Sequence, residues 1–135
     1  MIKEVALNDW LVYRNYSATQ NLIDIQAERE KSDSKIGKYL FFSDEKKLLI
    51  DLAKKILEKY DLFTAKVPLT NTPKAGDKGF GFVLCVYDTS PKLKDKLKQY
   101  GDEGVTIHYR YWKSDKATLE GKYSKEYLAT KESKR

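Results

Sequence analysis

Residues 78–85 read Lys-Gly-Phe-Gly-Phe-Val-Leu-Cys, and their alternation could present a basic and aromatic surface. Because alternate side chains of a strand share one face, Lys78, Phe80 and Phe82 are expected to point the same way. Aromatic rings on such a surface can stack nucleobases, at roughly 1–3 kcal/mol per base, and a nearby ammonium group attracts phosphate. A buried strand that happens to carry two Phe residues is the competing interpretation.

A second group of basic and aromatic residues lies towards the end of the chain. His108, Arg110 and Trp112 alternate with apolar and aromatic residues in the segment 105–112. If this segment is a strand whose apolar side faces the core, these three side chains extend the surface that carries Phe80. Arginine offers a planar donor, and tryptophan offers a stacking ring. An edge strand kept soluble by its charges explains the pattern equally well.

Groups that could support catalysis or bind a metal are scarce. His108 is the only histidine and Cys85 the only cysteine, so neither a zinc cluster of the usual ligands nor an intramolecular disulfide is expected. No phosphate-binding loop or nucleophile motif is found. Asp88, at the end of a predicted strand, is the one strand-end carboxylate with catalytic interest. The sequence therefore favours a binding protein over an enzyme, with no cofactor and no metal.

The composition is that of a small basic protein with a single domain. The 135 residues include 26 Lys and Arg against 20 Asp and Glu, which gives a net charge of +6 and a pI near 9.2. Such a surplus favours anionic partners. The N-terminal residues lack the apolar run of a signal peptide, and no segment approaches the ~18 apolar residues of a membrane span. We therefore expect no membrane association and a cytoplasmic location.

Hydrophobic periodicity predicts the elements that would position these residues. Apolar side chains recur from Leu49 to Tyr60 at helical spacing, so a helix follows Ser43, which can cap it. Because proline donates no ladder hydrogen bond, Pro68 places the strand that contains it at a sheet edge. The other predicted elements are strands at 36–42, 63–69, 80–87 and 105–112 and a short helix that begins at Ser90-Pro91.

The order strand, helix, strand, strand, helix, strand is that of a ferredoxin-like α+β fold. Two right-handed crossovers would give a four-stranded antiparallel sheet, with its first and third strands in the middle and both helices on one face. The opposite face would be open to solvent, a ligand or another segment. That face would carry four rings: Tyr39, Phe41, Phe80 and Phe82.

The segments on either side of this unit are less regular. We divide the chain into an N-terminal extension at 1–35, a ferredoxin-like domain at 36–113 and a charged tail at 114–135, with partial disorder beyond Leu128. Within the extension, Trp10–Tyr13 and Leu22–Ile25 could be strands of a hairpin. A helix over 17–30 is the alternative.

Over residues 36–113 the chain resembles the RNA-recognition motif family. Seven of the eight positions at 78–85 match that family's octapeptide, and Leu40-Phe41-Phe42-Ser43 is similar to the motif on its first strand. The resemblance implies that Phe41, Phe80 and Phe82 stack bases and that Lys78 contacts phosphate. The family has an aromatic residue where this chain has Cys85. A looser similarity, through residues 86–89 and the basic tail, is to a family of small-subunit ribosomal proteins.

These features predict binding of single-stranded nucleic acid, RNA in preference to DNA, through an aromatic and basic sheet face. The residues expected to form that face are Tyr39, Phe41, Lys74, Lys78, Phe80, Phe82, His108, Arg110 and Trp112. The alternative is a protein-interaction or assembly module, either a homodimer or a complex subunit. Leu84 and Val86 share the parity of Phe80 and Phe82, so this face would be largely apolar. A partner or the N-terminal segment would then cover it.

Overall fold

The computed structural model describes residues 1–70, 80–101 and 107–115. The elements within these ranges are β1 (Ile2–Leu7), β2 (Trp10–Asn15), α1 (Thr19–Arg29), β3 (Gly37–Ser43), α2 (Lys46–Lys59), β4 (Thr64–Pro68), β5 (Phe82–Asp88), α3 (Lys94–Leu97) with a 3-10 turn at Lys98–Tyr100, and β6 (His108–Ser114). The predicted disorder beyond Leu128 lies outside the described residues. None of the described helices is long and apolar enough to cross a bilayer.

The strands form one antiparallel sheet of six, in the order β1-β2-β4-β5-β3-β6. The four strands predicted from the sequence are β3, β4, β5 and β6, and they lie side by side. The predicted neighbours β3 and β5 pair along their whole length, from Gly37 with Asp88 to Ser43 with Phe82. The expected sheet of four strands is wrong in number, because β1 and β2 continue it beyond β4.

The prediction that Pro68 places its strand at a sheet edge is wrong. β4 is an inner strand that pairs with β2 on one side and with β5 on the other. Pro68 is its last residue and lies opposite Trp10, so the missing N–H affects only the end of the ladder. The next residue, Leu69, resumes the pairing by donating its N–H to the carbonyl of Asp9 at 2.9 Å.

The N-terminal residues form a hairpin and a helix. β1 and β2 are joined by a tight turn at Asn8, whose φ of 54° is a left-handed conformation that asparagine tolerates. The predicted strand at Leu22–Ile25 is wrong, and the alternative helix is observed as α1. Asn21 and Ile25, one helical turn apart, are its buried residues.

The two helices α2 and α3 pack on the same side of the sheet, which we call the helix face. α2 buries a stripe at helical spacing that consists of Leu49, Leu52, Ala53, Ile56 and Leu57. In the same core are Leu97 of α3, Tyr100 and the strand residues Leu84 and Val86. The side chains of Leu40, Phe42, Val83 and Cys85 form a smaller cluster on the opposite side, the second face. Ser43 does not cap α2 directly, since the helix begins at Lys46. Its hydroxyl accepts a hydrogen bond from the Glu45 N–H at 3.1 Å.

Gly37, the first residue of β3, lies where a side chain cannot be accommodated. A Cβ there would lie 2.7 Å from the Lys113 carbonyl oxygen and closer still to the indole ring of Trp112. We expect Gly37→Ala to lower the free energy of unfolding by about 1–3 kcal/mol, because the neighbouring backbone cannot move away cheaply. Urea denaturation measures this change. An unchanged midpoint would mean that β6 can shift from β3 without cost.

Candidate functional site

Three of the four rings predicted for the binding face, Tyr39, Phe41 and Phe82, lie on the side of the sheet that α2 and α3 cover, which is the wrong side for stacking bases. Tyr39 and Phe41 are both 0% exposed and belong to the core beneath α2. Phe82, opposite Ser43 in the β3–β5 ladder, is half-buried against the same core. The expectation that these rings face away from the helices is therefore wrong. Residues 40 and 42 are as apolar as residues 39 and 41. Alternation alone therefore could not decide which side of β3 faces the core.

The other predicted site residues do not form one surface. Trp112 contacts Tyr39 edge-on at a centroid distance of 4.9 Å, so it belongs to the helix face. Arg110 lies beside Lys94 and Lys98, in a separate hollow of about 290 Å³. Lys74 and Lys78 lie outside the described residues.

Of the predicted residues that the structure describes, only two come together on the side away from α2 and α3. Phe80 and His108 stack at a centroid distance of 6.0 Å and an interplanar angle of 14°. Phe80 packs against the small cluster of the second face, and His108 is paired with Phe42 of that cluster. These two side chains therefore agree with the predicted placement.

A row of cations crosses the second face. Lys3 lies directly opposite Arg14 in the β1–β2 ladder, and Lys38 lies directly opposite Lys113 in the β3–β6 ladder. Lys38 also pairs with Tyr87 on its other side, and its ammonium is 5.9 Å from the centre of that ring. Like charges that face each other across strands destabilise a sheet. In the second pair, Asp115 lies 3.4 Å from the Lys38 ammonium and offsets part of the repulsion. Among the described residues no carboxylate forms an ion pair with Lys3 or Arg14, so the opposition of these two charges is not compensated within the sheet.

Helix α1 crosses the second face and encloses a hollow, which we call the α1 groove. Its volume is about 450 Å³. Leu22, Ile25, Gln26 and Arg29 recur at positions i, i+3, i+4 and i+7, so one side of α1 forms the wall of this groove. The remaining lining consists of Leu7, Val12, Arg14, Tyr16, Phe63, Thr64, Lys66 and Tyr87.

The charges of the α1 groove are all positive among its described residues. Arg14, Arg29 and Lys66 come from β2, α1 and β4, and no aspartate or glutamate is among the described lining residues. In the part of the chain that the structure describes, none of the three forms an ion pair with a carboxylate. Three rings accompany them: Tyr16, Phe63 and Tyr87. The groove therefore combines unpaired cations with aromatic surface.

Lys66 is the most deeply placed of these cations. Its ammonium lies 4.0 Å from the centre of the Trp10 ring and 5.7 Å from that of Tyr87. Loss of solvent lowers the pKa of Lys66, with the nearby Lys38 adding to the effect. Burial also raises the pKa of Tyr87 well above its usual range, so this phenol is neutral at physiological pH. Two rings thus lie beside a partly desolvated charge.

Asn21 and Asp88 attach α1 to the sheet. The Asn21 side-chain oxygen accepts from the Phe63 N–H at 2.9 Å, and its amide nitrogen donates to Asp88 Oδ1 at 3.3 Å. Asp88 is fully buried and also accepts from the Tyr39 hydroxyl at 2.9 Å and from the Thr89 N–H at 2.7 Å. Lys92 lies 3.6 Å from the same carboxylate. These donors occupy Asp88, so its geometry is that of a structural anchor for the groove wall.

Sequence reasoning did not find Arg14, Arg29 or Lys66. The available signal was the alternation of Arg14 with Tyr13 and of Lys66 with Ala65, since each charge follows a residue that the core buries. Nothing local indicated that these strands and α1 would meet.

Across residues 1–70, 80–101 and 107–115, no three His, Cys, Asp or Glu side chains converge in a group that could hold a metal ion. The arrangement described above is therefore one of cations and rings. No protein-family model, no curated protein and no solved structure matches this chain.

Proposed function

We propose that this protein binds single-stranded nucleic acid, with RNA as the favoured polymer, along the second face and into the α1 groove. The observation that carries the proposal is the direct opposition of like charges in two separate ladders, Lys3 with Arg14 and Lys38 with Lys113. The Lys3–Arg14 pair costs stability in the free protein, whereas Asp115 offsets part of the repulsion between Lys38 and Lys113. A chain of phosphates lying across the strands would offset the repulsion between Lys3 and Arg14 and would contact the exposed Lys113.

The dimensions of the sheet support this path for the polymer. Neighbouring strands lie about 4.8 Å apart, so six strands give a row of roughly 24 Å from β1 to β6, enough for several phosphates. Rings accompany the cations along the way, with Tyr87 beside Lys38 and the Phe80–His108 stack at the β6 edge. Stacking tolerates any base sequence, whereas phosphate contacts supply most of the affinity.

The same proposal extends to the architecture and the family. The order β4-β5-β3-β6, with β3 and β5 adjacent and α2 and α3 on one side, supports a ferredoxin-like unit to which β1, β2 and α1 are added. The resemblance to the RNA-recognition motif family stays a proposal. If it holds, the polymer would use the side of the sheet that the two helices leave, but different residues would contact it.

A titration of labelled single-stranded RNA and DNA at two salt concentrations tests the function. We expect affinity to fall with salt, with a slope in log K of about −0.7 for each phosphate contact. The double variant Lys3→Ala, Lys113→Ala removes one exposed cation from each end of the row without touching the groove. It should weaken binding and make the slope shallower by about 1.4.

The matched control is Lys47→Ala, Lys96→Ala, which removes two exposed lysines of α2 and α3 on the other side of the molecule. This control should retain both the affinity and the slope of the parent chain. The proposal fails if neither polymer binds at low salt, or if the control weakens binding as much as the row variant does.

A second candidate function is self-association. Four large apolar side chains on or next to β1 and α1 are exposed, namely Met1, Leu7, Tyr16 and Ile23. β1 is also an end strand of the sheet, with an unpaired row of backbone groups in the described structure. An end strand with unpaired backbone groups favours pairing with another chain. A mass in solution that rises with protein concentration, and that Ile23→Lys abolishes, would support a homodimer, whereas a constant monomer mass excludes it.

A further inference from the structure

The α1 groove differs from the rest of the second face because it is walled. The sheet bounds it on one side and α1 on the other, whereas the cation row beyond it lies along open strands. Its volume of about 450 Å³ lies in the range of pockets for single small molecules, roughly 300–1,000 Å³. A polymer can lie along the open strands that carry the cation row, but a walled pocket of this size is suited to one small molecule or one residue of a polymer.

The chemistry of the lining has two parts. Arg14, Arg29 and Lys66 supply positive charge, and none of them forms an ion pair with a carboxylate among the described residues, so this lining favours an anion. Arginine offers a planar fork of donors that matches phosphate, and lysine adds a point charge. A bound phosphate would replace the solvent that Lys66 has lost.

The other part of the lining is aromatic and aliphatic. Tyr16 is 47% exposed and is held at its side by Phe63, in an edge-to-face contact with a centroid distance of 5.8 Å. Its ring is thus positioned without being covered. Val12 and Leu22 line the groove nearby. A flat, weakly polar ring of a ligand could pack against this surface while its charged end reaches the three cations.

We infer that the α1 groove is a binding site for a single nucleoside monophosphate unit, with the phosphate at Arg14, Arg29 and Lys66 and the base against the Tyr16 side. This inference rests on the proposed function and specifies the unit that the groove accepts. The unit has two sources with the same chemistry, a free nucleotide or the phosphorylated end of a strand.

Calorimetric titration of the full chain provides the test. The probes are adenosine 5′-monophosphate and uridine 5′-monophosphate, with adenosine and inorganic phosphate as the separate parts. We expect each nucleotide to bind at least tenfold more tightly than either part, because only the nucleotide engages both the cations and the ring. Fluorescence of Trp10, whose ring lies 4.0 Å from the Lys66 ammonium, should change on binding.

The double variant Arg14→Ala, Lys66→Met should reduce nucleotide affinity by at least tenfold. Met retains most of the Lys66 stem between Trp10 and Tyr87 but removes a charge that burial disfavours, so the single variant Lys66→Met should unfold at the same temperature as the parent or a higher one. If the charge of Lys66 served only to stabilise the fold through its contact with Trp10, Lys66→Met would instead lower the unfolding temperature. Lys47→Ala serves as the control and should change neither quantity.

The outcomes separate this inference from the proposed function. If the polymers bind and respond to Lys3→Ala, Lys113→Ala while no nucleotide binds, the groove inference is overturned and the function stands. Inorganic phosphate that binds as tightly as the nucleotides overturns it as well, since the ring then contributes nothing. Nucleotide binding without polymer binding supports the groove and removes the polymer function. When both bind, an oligonucleotide with a 5′-phosphate that competes better than its 5′-hydroxyl form supports the groove and identifies the strand end as the source.

Discussion

Phe41→Ala is expected to lower the free energy of unfolding by about 3–5 kcal/mol, the range for removing a fully buried aromatic ring. Phe41 is 0% exposed, lies in the core beneath α2 and contacts the Tyr109 ring at a centroid distance of 4.8 Å. Its loss leaves a cavity that packed strands cannot close. Urea denaturation followed by circular dichroism measures the change.

Phe80→Ala is the matched control for Phe41→Ala, because both rings were predicted from the sequence to stack bases. Phe80 is only half-buried and lies at the margin of the second-face cluster, so its removal should cost much less stability. Equal effects of the two substitutions would contradict the placement of Phe41. So would a Phe41→Ala chain that folds normally and loses only its affinity for RNA.

Asp88→Ala is expected to cost roughly 2–4 kcal/mol, because three donors lose a charged acceptor at once and only the Tyr39 hydroxyl keeps a second acceptor, the Ser90 carbonyl at 3.0 Å. The Tyr39 hydroxyl, the Thr89 N–H and the Asn21 amide all donate to this carboxylate. Burial raises the pKa of Tyr39 well above its usual range, so its hydroxyl keeps the proton that it donates. Thermal unfolding measures the loss.

Asp88→Ala should also loosen α1. The hydrogen bond from Asn21 to Asp88 is one of the two that attach the Asn21 side chain of this helix to the sheet region. We expect faster hydrogen exchange of α1 amides in Asp88→Ala than in the parent chain. Lys92→Ala is the control, because its half-exposed ammonium contributes at most about 1 kcal/mol. An Asp88→Ala protein no less stable than Lys92→Ala would contradict an anchoring role.

Local sequence patterns were sufficient to predict a helix or strand whose apolar residues repeat with one clear period. The stripe from Leu49 to Leu57 predicted α2 correctly, since an amphipathic helix shows its buried side within its own sequence. The pairing of β3 with β5 was also expected, because the handedness of crossovers leaves few alternatives. The edge position predicted from Pro68 was wrong because β2 pairs with β4 on its outer side. No local pattern in the N-terminal segment revealed that its strand would pair there.

The side of the sheet on which a side chain lies was decided only by tertiary structure. Alternation along β3 determined that Tyr39 and Phe41 share one side and Leu40 and Phe42 the other, but both sets are apolar and both are buried. The choice depended on where α2 packs, which is a contact between distant parts of the chain. The groove is a stronger case, since Arg14, Arg29 and Lys66 lie on three elements. Sequence alone determined their charge, and the crossing of α1 over the sheet brought those charges together because Asn21 and Ile25 are buried there.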